Sequence, residues 1–281
     1  MAIFNDFYPQ EYFSKQTPVD IRDKATSTCI VCAVGQPFLD VPKATLKTKT
    51  SGYYYNNQPM YPYGGNGKLC DAIAGETAVW MTGTAFAIES KTFMTAAHVV
   101  QDVLAEVDAK PNDASKLKLM SGFFRKSSPT SPFTFVMYDV TAITYHPDKD
   151  ICKITTKQSV KNGKLLYNLA PITEQRSLRT NDAIMMAGYP LGQTMKFSEG
   201  IVADTEADLS EFKGYITLFP GNSGSPVLSR KTGNVVGILT GGSEGINDDW
   251  KKSGDGCYTY QKFPNQEEYT GSMVYAEHLK F

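Results

Sequence analysis

Several features that would indicate a charged-ligand or membrane function are scarce in this chain of 281 residues. There is no excess of either charge, because 28 Lys and Arg residues stand against 29 Asp and Glu residues. Binding nucleic acid by bulk charge requires a basic surface, so we expect no nucleic-acid partner. No apolar run approaches the roughly 20 residues that cross a bilayer, so we expect no membrane span.

Cysteine is also scarce, with an odd total of five: Cys29, Cys32, Cys70, Cys152 and Cys257. This number is too small and too uneven for a disulfide framework. The first residues carry neither a basic leader nor a long apolar segment, so they do not resemble a secretory signal. Together these absences predict a soluble protein in a reducing compartment such as the cytoplasm.

The pair Cys29 and Cys32 has the spacing of some metal and redox sites, but a zinc site needs a second pair of ligands. The surrounding segment, Thr28–Val34, is β-branched and apolar and predicts a strand. Residues three apart on a strand face opposite sides, so we expect two buried, unreactive cysteines rather than a ligand pair. We predict no cofactor and no metal.

What the sequence does contain is a series of short strand patterns separated by turns. The predicted strands are Ala78–Met81, Thr84–Ile88, Phe93–Thr95, Phe133–Tyr138, Ile151–Thr155, Ala183–Ala187, Gly214–Leu218, Pro226–Leu228, Val235–Thr240 and Met273–Tyr275. Helical spacing occurs only over His98–Val107. Without helices of about 12 residues between the strands, a parallel α/β sheet is disfavoured and an all-β antiparallel barrel is predicted.

Residues 1–75 differ from the rest and form a predicted N-terminal extension. Its segment Gly52–Gly67 is rich in Tyr, Gly and Asn. Because turn-forming residues are so dense there, we predict a loop without regular strands. Its tyrosines could form a recognition surface, but a loop that packs its own rings is the favoured interpretation.

Only three histidines are present, and His98 stands out among them. It follows a predicted strand, with small residues in front of it that let other segments approach the imidazole closely. His146 lies in a turn and His278 near the end of the sequence. We predict structural or surface roles for these two.

A serine flanked by glycines supplies a second candidate, in the segment Pro220–Pro226. The glycines on both sides of Ser223 allow a tight turn with consecutive amides that point inward, which suits a developing oxyanion. A serine nucleophile also needs a base and an acid that orients the base.

Asp150 is the proposed acid because it opens the apolar strand that continues through Cys152 and Ile154. A carboxylate at a buried strand start needs a partner, and a histidine satisfies it. Asp148 and Asp139 are weaker alternatives, because neither begins such a run.

Taken together, Thr95–His98, Asp150–Cys152 and Gly221–Pro226 resemble the chymotrypsin-like (trypsin-fold) serine peptidases. The order of histidine, aspartate and serine matches that family. Further agreement comes from Gly83–Phe86 and Val236–Gly242, and the resemblance covers residues 77–281.

The resemblance implies two antiparallel six-stranded β-barrels within a peptidase domain of residues 76–281. The first barrel would span about residues 76–160 and the second about 180–281. His98, Asp150 and Ser223 would form the catalytic triad, and the N–H groups of Gly221 and Ser223 the oxyanion hole.

The resemblance also places residues around the substrate, which would be a protein or polypeptide. Thr240, Gly241 and Gly242 would offer backbone partners to an extended chain. Thr217 would lie at the base of the pocket, with Leu239 and Met273 on its walls. This predicts a shallow, uncharged pocket for a small or medium apolar residue.

One departure is that Val99 replaces the cysteine that often follows the histidine in secreted relatives. This favours viral or bacterial relatives, such as a viral protease that processes polyproteins or a bacterial regulatory protease. The competing hypothesis is a catalytically idle trypsin-fold scaffold that binds proteins.

Overall fold

The computed structural model describes residues 10–11, 23–34, 53–55, 58–60, 68–69, 83–122, 136–160, 165–190, 195–205, 210–219, 221–242, 250–252, 257–260 and 270–281. In chain order the strands are β1 (Gln10–Glu11), β2 (Thr28–Ala33), β3 (Tyr53–Tyr55), β4 (Gln58–Met60), β5 (Lys68–Leu69), β6 (Gly83–Glu89), β7 (Thr92–Thr95), β8 (Leu117–Ser121), β9 (Val136–Tyr145), β10 (Cys152–Thr156), β11 (Ala183–Gly188), β12 (Lys196–Thr205), β13 (Glu211–Ile216), β14 (Pro226–Ser229), β15 (Val235–Gly242), β16 (Trp250–Lys252), β17 (Cys257–Tyr260) and β18 (Thr270–Tyr275). The predicted strand Ala78–Met81 lies outside the described residues.

The first barrel is a closed antiparallel sheet with the strand order β10-β7-β6-β2-β8-β9. Closure pairs every strand on both sides and so leaves no exposed edge. Its core alternates with the strand period, so that Cys152 and Ile154 point inward while Ile151 packs in a different cluster.

Strand β2 reaches this barrel from the segment predicted as the N-terminal extension. It pairs with β6 through Thr28 and Phe86 and with β8 through Cys29 and Ser121. All six of its residues are buried, as the β-branched, apolar pattern of the segment predicts. The first barrel therefore extends further towards the N-terminus than the predicted boundary at residue 76.

The second barrel has the order β12-β11-β14-β15-β18-β13, and the pairing of β12 with β13 closes it. Strand β1 pairs antiparallel with the first two residues of β12. In β12, Gly200 crosses β13 so closely that a Cβ there would lie 2.3 Å from the Tyr215 carbonyl oxygen. The prediction of two six-stranded antiparallel barrels is confirmed.

A third apolar cluster joins the two barrels. Phe86 and Met94 reach it from the first barrel, Met185 and Phe197 from the second, and Tyr167 from the connection between them. The rings of Phe86 and Tyr167 meet edge to face, with centroids 5.4 Å apart. Burying these large side chains holds the barrels together, since each fully buried one contributes about 1.5–3 kcal/mol.

The predicted helix is present as α1 (Ala97–Ala105), two residues shorter than expected at its end. It buries Val99, Val100, Val103 and Leu104 against the first barrel. A second short helix, α2 (Ile172–Arg176), lies in the connection between the barrels. Among the described residues, no helix is long and apolar enough to cross a membrane.

The prediction for the tyrosine-rich segment needs correction, because β3 and β4 pair there as antiparallel strands. Tyrosine has a high strand propensity, and two residues are a common connection between hairpin strands. Dense turn formers around a segment thus do not prevent pairing within it. The remaining residues of Gly52–Gly67 lie outside the described residues.

Candidate active site

His98 lies where β7 of the first barrel passes into α1. Ala96 is the N-cap of the helix in an extended conformation, and its side chain offers no cap hydrogen bond. The first amides of a helix have no partners within it, so they must find acceptors elsewhere. The backbone N–H of His98 finds one in Asp150, donating to Oδ1 at 2.8 Å.

Asp150 lies at the end of the turn that precedes β10. The turn is closed by the N–H of His146, which donates to the Ile151 carbonyl at 2.9 Å. His146 also accepts with its Nδ1 from the N–H groups of Asp148 and Lys149, at 3.1 Å each. His146 therefore stabilises the turn that presents Asp150, in line with its predicted structural role.

The side chains of His98 and Asp150 meet directly, with 2.6 Å between Nδ1 and Oδ2. Both are partly shielded, with 36% of each side chain exposed. The carboxylate fixes Nδ1 as the protonated nitrogen and leaves Nε2 as the acceptor. The alternative acids are engaged differently: Asp139 pairs with Lys118 and Gln158, and Asp148 is exposed.

This contact shifts the pKa values of both groups. Burial acts to lower the pKa of His98, but the hydrogen bond and charge of Asp150 and the charge of Asp102 outweigh it and raise the pKa above 6.5. Burial acts to raise the pKa of Asp150, but the contacts with His98 and the N–H of Ala97 lower it. The pair therefore favours a carboxylate beside an imidazole that binds a proton readily.

Ser223 lies in a turn that leads into β14 of the second barrel. Gly221 and Gly224 have φ values of 94° and 83°, which residues other than glycine rarely adopt. The N–H of Asn222 donates to Phe219 and that of Ser225 donates to Asn222. These local bonds keep the turn tight.

Of the other amides of the turn, one has an acceptor and two have none among the described residues. The N–H of Gly224 donates to the Leu239 carbonyl at 2.7 Å. The N–H groups of Gly221 and Ser223 find no acceptor among the residues that the structure describes. Two amides without acceptors on one tight turn can bind an oxyanion.

The Ser223 turn docks against the strands that carry His98. The N–H of Thr84 in β6 donates to the Ser223 carbonyl at 2.8 Å. A Cβ on Gly224 would lie 2.1 Å from the Thr84 carbonyl oxygen and 3.0 Å from the N of Ala96. Within the described part of the chain, the Ser223 hydroxyl makes no hydrogen bond to His98, and such contacts often tighten only when substrate binds.

Two of the predicted pocket residues, Leu239 and Met273, lie together in one core cluster of the second barrel. Thr217 and Leu239 are buried, and Met273 pairs with Leu239 across β15 and β18. The side-chain ends of Leu239 and Met273 each come within 3.0 Å of where a Cβ on Gly271 would lie, and Leu218 comes within 2.8 Å. Apolar side chains therefore fill the space beside Gly271.

Strand β15 extends past its partner β14. The last pair between them joins Pro226 to Ile238, whereas the pairing with β18 continues to Gly242. In the described residues, Thr240 to Gly242 therefore have a strand on one side only. Thr240 lies at a bulge, between the pairs made by Leu239 and Gly241.

Cys29 and Cys32 lie on opposite faces of β2, as predicted. Cys29 lies in the core of the first barrel and Cys32 in the cluster between the barrels. Burial raises the pKa of the Cys29 thiol, and it raises the pKa of Cys32 to about 12. Neutral thiols on opposite faces of a strand cannot bind one metal ion together.

Sequence reasoning missed Thr84, which contacts the Ser223 turn from the other barrel. The segment Gly83–Phe86 was recognised only as part of the family pattern. A threonine in a strand has an ordinary appearance, and only its long-range partners distinguish it.

Comparison with known proteins shows similarity to a peptidase family and to solved structures. The family of trypsin-like peptidase domains matches residues 83–238. The crystal structure of Rv3671c from M. tuberculosis H37Rv, a serine-to-alanine mutant in an inactive form, matches with a TM-score of 0.49 and 12% identity. That match covers 97% of this chain and 91% of the other. Similarity at this level carries no conclusion about activity.

Proposed function

The chain belongs to the family of trypsin-like peptidase domains, as its sequence motifs predict, and from this premise we propose that it is a serine endopeptidase. His98, Asp150 and Ser223 are the proposed catalytic residues. The observation that carries the proposal is the 2.6 Å contact between His98 Nδ1 and Asp150 Oδ2. A histidine oriented by a carboxylate is the base that a serine nucleophile needs.

In the proposed reaction, Ser223 Oγ bonds to the carbonyl carbon of the substrate while its proton passes to His98 Nε2. The carbonyl π electrons move onto the oxygen, and the N–H groups of Gly221 and Ser223 bind this oxyanion. When the tetrahedral intermediate collapses, the C–N bond breaks and the amine takes the proton from His98. Water then releases the acyl group by the same steps, with His98 again as the base.

Asp150 has a supporting part in these steps. Its Oδ2 keeps the proton of His98 on Nδ1, and its charge stabilises the imidazolium that forms. Its Oδ1 accepts from the backbone N–H of His98, which fixes the ring relative to the helix start. The raised pKa of His98 supports this role, because a stabilised imidazolium is what the transition state requires.

We propose that the substrate adds as an extended strand along β15. Thr240, Gly241 and Gly242 would bind its backbone, since β18 occupies only one of their sides in the described residues. Thr217 would end the pocket, and the filled space at Leu239 and Met273 supports a preference for a small or medium uncharged residue. Polyprotein processing and regulatory proteolysis are the proposed settings.

The first experiment is labelling with a fluorophosphonate probe, which reacts with activated serines. We expect the wild type to be labelled and to cleave peptides. We expect Ser223→Ala to lose labelling and about 10⁶-fold in kcat while keeping its melting temperature. Ser225→Ala, which alters a neighbouring serine, is the control and should remain labelled.

An unlabelled wild type that still binds proteins would support the idle-scaffold hypothesis instead. An unbiased peptide mixture, with cleavage sites read by mass spectrometry, tests the pocket. Cleavage after Arg, Lys or Glu as the main products would contradict the proposed preference.

A further inference from the structure

We propose that Thr84 is a positioning residue that keeps the oxyanion hole open, an inference that rests on the proposed peptidase activity. Thr84 belongs to β6 of the first barrel and is fully buried. It is not part of the proposed triad or pocket. Its contacts nevertheless hold two carbonyl groups of the Ser223 turn, which belongs to the other barrel.

The hydroxyl of Thr84 has an unambiguous hydrogen-bond direction. Oγ1 lies 2.8 Å from the Gly221 carbonyl oxygen, which can only accept, so the hydroxyl proton points there. The N–H of Tyr189, which can only donate, approaches the same Oγ1 at 3.2 Å. The hydroxyl thus serves as donor and acceptor at once, in a place where an unpaired polar group would be costly.

These contacts fix the peptide group between Gly221 and Asn222 from both ends. Thr84 holds its carbonyl, and the Phe219 carbonyl accepts from its N–H at 3.0 Å. Two residues beyond Gly221, the N–H of Thr84 holds the Ser223 carbonyl at 2.8 Å. These bonds hold the peptide groups on both sides of the one that joins Asn222 to Ser223 and carries the Ser223 N–H, and the carbonyl of that middle group accepts from the N–H of Ser225.

A turn with glycines and unpaired amides needs such a restraint. The N–H groups of Gly221 and Ser223 have no acceptor in the described residues, so a rotated turn that paired them internally would gain a hydrogen bond. Glycine allows the rotation sterically. The two N–H groups belong to the peptide groups before Gly221 and Ser223, whereas Thr84 binds the carbonyls of the peptide groups after these two residues. Thr84 therefore opposes that collapse by fixing, in both cases, the next peptide group along the chain.

Thr84 also links the turn to the base. Its carbonyl oxygen accepts from the Thr95 hydroxyl at 2.7 Å, at the end of the strand that leads to His98. The Ser223 turn is thus positioned by the same pair of strands that positions His98. Thr84 does not contact the His98–Asp150 pair itself, so its loss should leave the pKa of His98 unchanged.

The test compares Thr84→Val with Thr84→Ser. Valine keeps the shape but removes the hydroxyl, and serine restores the hydroxyl alone. We expect kcat to fall about 10²-fold in Thr84→Val, with KM within a few-fold, because a misplaced turn affects the transition state more than substrate binding. Thr84→Ser should recover most of this loss, and the acid limb of the pH profile should stay in place in both variants.

The control is Thr28→Val on the neighbouring strand β2. Thr28 is equally buried, but its hydroxyl bonds to the Tyr167 hydroxyl at 2.8 Å and not to the Ser223 turn. We expect it to lower the melting temperature without changing kcat. If Thr84→Val does not fold, the pair Thr84→Ala and Thr84→Ser, which differ only by the hydroxyl, makes the same comparison.

Equal kcat in the Thr84→Val and wild-type enzymes would overturn the proposal, as would a Thr84→Ser enzyme no better than Thr84→Val or Thr84→Ala. In those cases the wild type would still cleave peptides and Ser223→Ala would not, so the proposed activity would stand. A shift of the acid limb of the pH profile in Thr84→Val would also overturn the proposal, because it would show that the substitution disturbs the base. A wild type without turnover would overturn both proposals.

Discussion

In the first barrel His98 and Asp150 hold each other, whereas in the second barrel the Ser223 turn is held by its neighbour. The acid and base share a 2.6 Å side-chain contact and a backbone bond at the start of α1, all within one barrel. The Ser223 turn depends on Thr84 from β6 for two of its carbonyl groups. One half of the proposed site is therefore self-contained and the other is assembled across the interface between the barrels.

This difference separates two kinds of damage. A change within the first barrel at His98 or Asp150 should alter the protonation of the base. A change at the interface should misplace the proposed nucleophile and oxyanion hole while His98 titrates as before. A loss of kcat with a shifted pH profile therefore indicates damage to the pair in the first barrel, and a loss of kcat with an unchanged pH profile indicates damage at the interface.

Among the variants that test this comparison, the largest effect is expected from Asp150→Asn, which breaks the self-contained pair. The amide carries no charge and cannot keep the histidine in its tautomer, so kcat should fall about 10⁴-fold. Steady-state kinetics measure this. Asp148→Asn, an exposed neighbour in the same turn, should have no effect. A tenfold loss or less for Asp150→Asn would contradict the role given to this carboxylate.

Gly224→Ala should damage the interface instead. Its Cβ would lie 2.1 Å from the Thr84 carbonyl oxygen at a residue with φ of 83°, so the turn must move away from the first barrel. We expect kcat to fall about 10²-fold with an unchanged acid limb. Gly233→Ala places the same substitution at φ of 70° in another turn and should keep full activity. A shifted acid limb in Gly224→Ala would refute the independence of the two halves.

Met273→Ala tests whether a core side chain of the second barrel also limits the size of the proposed pocket. Removing this fully buried side chain should cost about 2–5 kcal/mol in the free energy of unfolding. The space left by the Met273 side chain should also admit larger apolar residues of the substrate. Cleavage of a peptide library should therefore show a preference for larger apolar residues before the scissile bond. Met186→Ala, in the same core cluster, should lose stability but keep the preference. Identical libraries for both variants would show that Met273 does not limit the pocket.

The smallest effect concerns the acid limb of the pH profile, which is the fall of kcat/KM at low pH. In the proposed mechanism neutral His98 is the active form, and its raised pKa means that kcat/KM should fall with decreasing pH through a midpoint above 6.5. Asp102→Asn should lower this midpoint slightly, because the charge of Asp102 contributes to the raised pKa. Both midpoints come from kcat/KM measured over pH. A wild-type midpoint at or below 6.5 would contradict the assigned environment of His98.

Much of the fold could be predicted because its signals are local. The β-branched run of β2 and the helical spacing of α1 each identify an element from a few residues. Strands β8 and β12 could not be predicted in this way, because their local sequence patterns are weak. Leu117–Ser121 places a lysine between leucines, and Lys196–Thr205 contains lysine, serine, glutamate and aspartate. In a barrel such residues are accommodated by neighbouring strands, and even Lys196 is buried.

The sequence determined which residues carry reactive groups and which positions tolerate special backbone angles. His98, Asp150 and the glycines around Ser223 could be recognised because functional group and backbone freedom are properties of single residues and their chain neighbours. Only the tertiary structure decided that β2 completes the first barrel and that Thr84 holds the Ser223 turn. Those contacts join residues more than 100 positions apart or strands from separate regions, and local propensity carries no information about such partners.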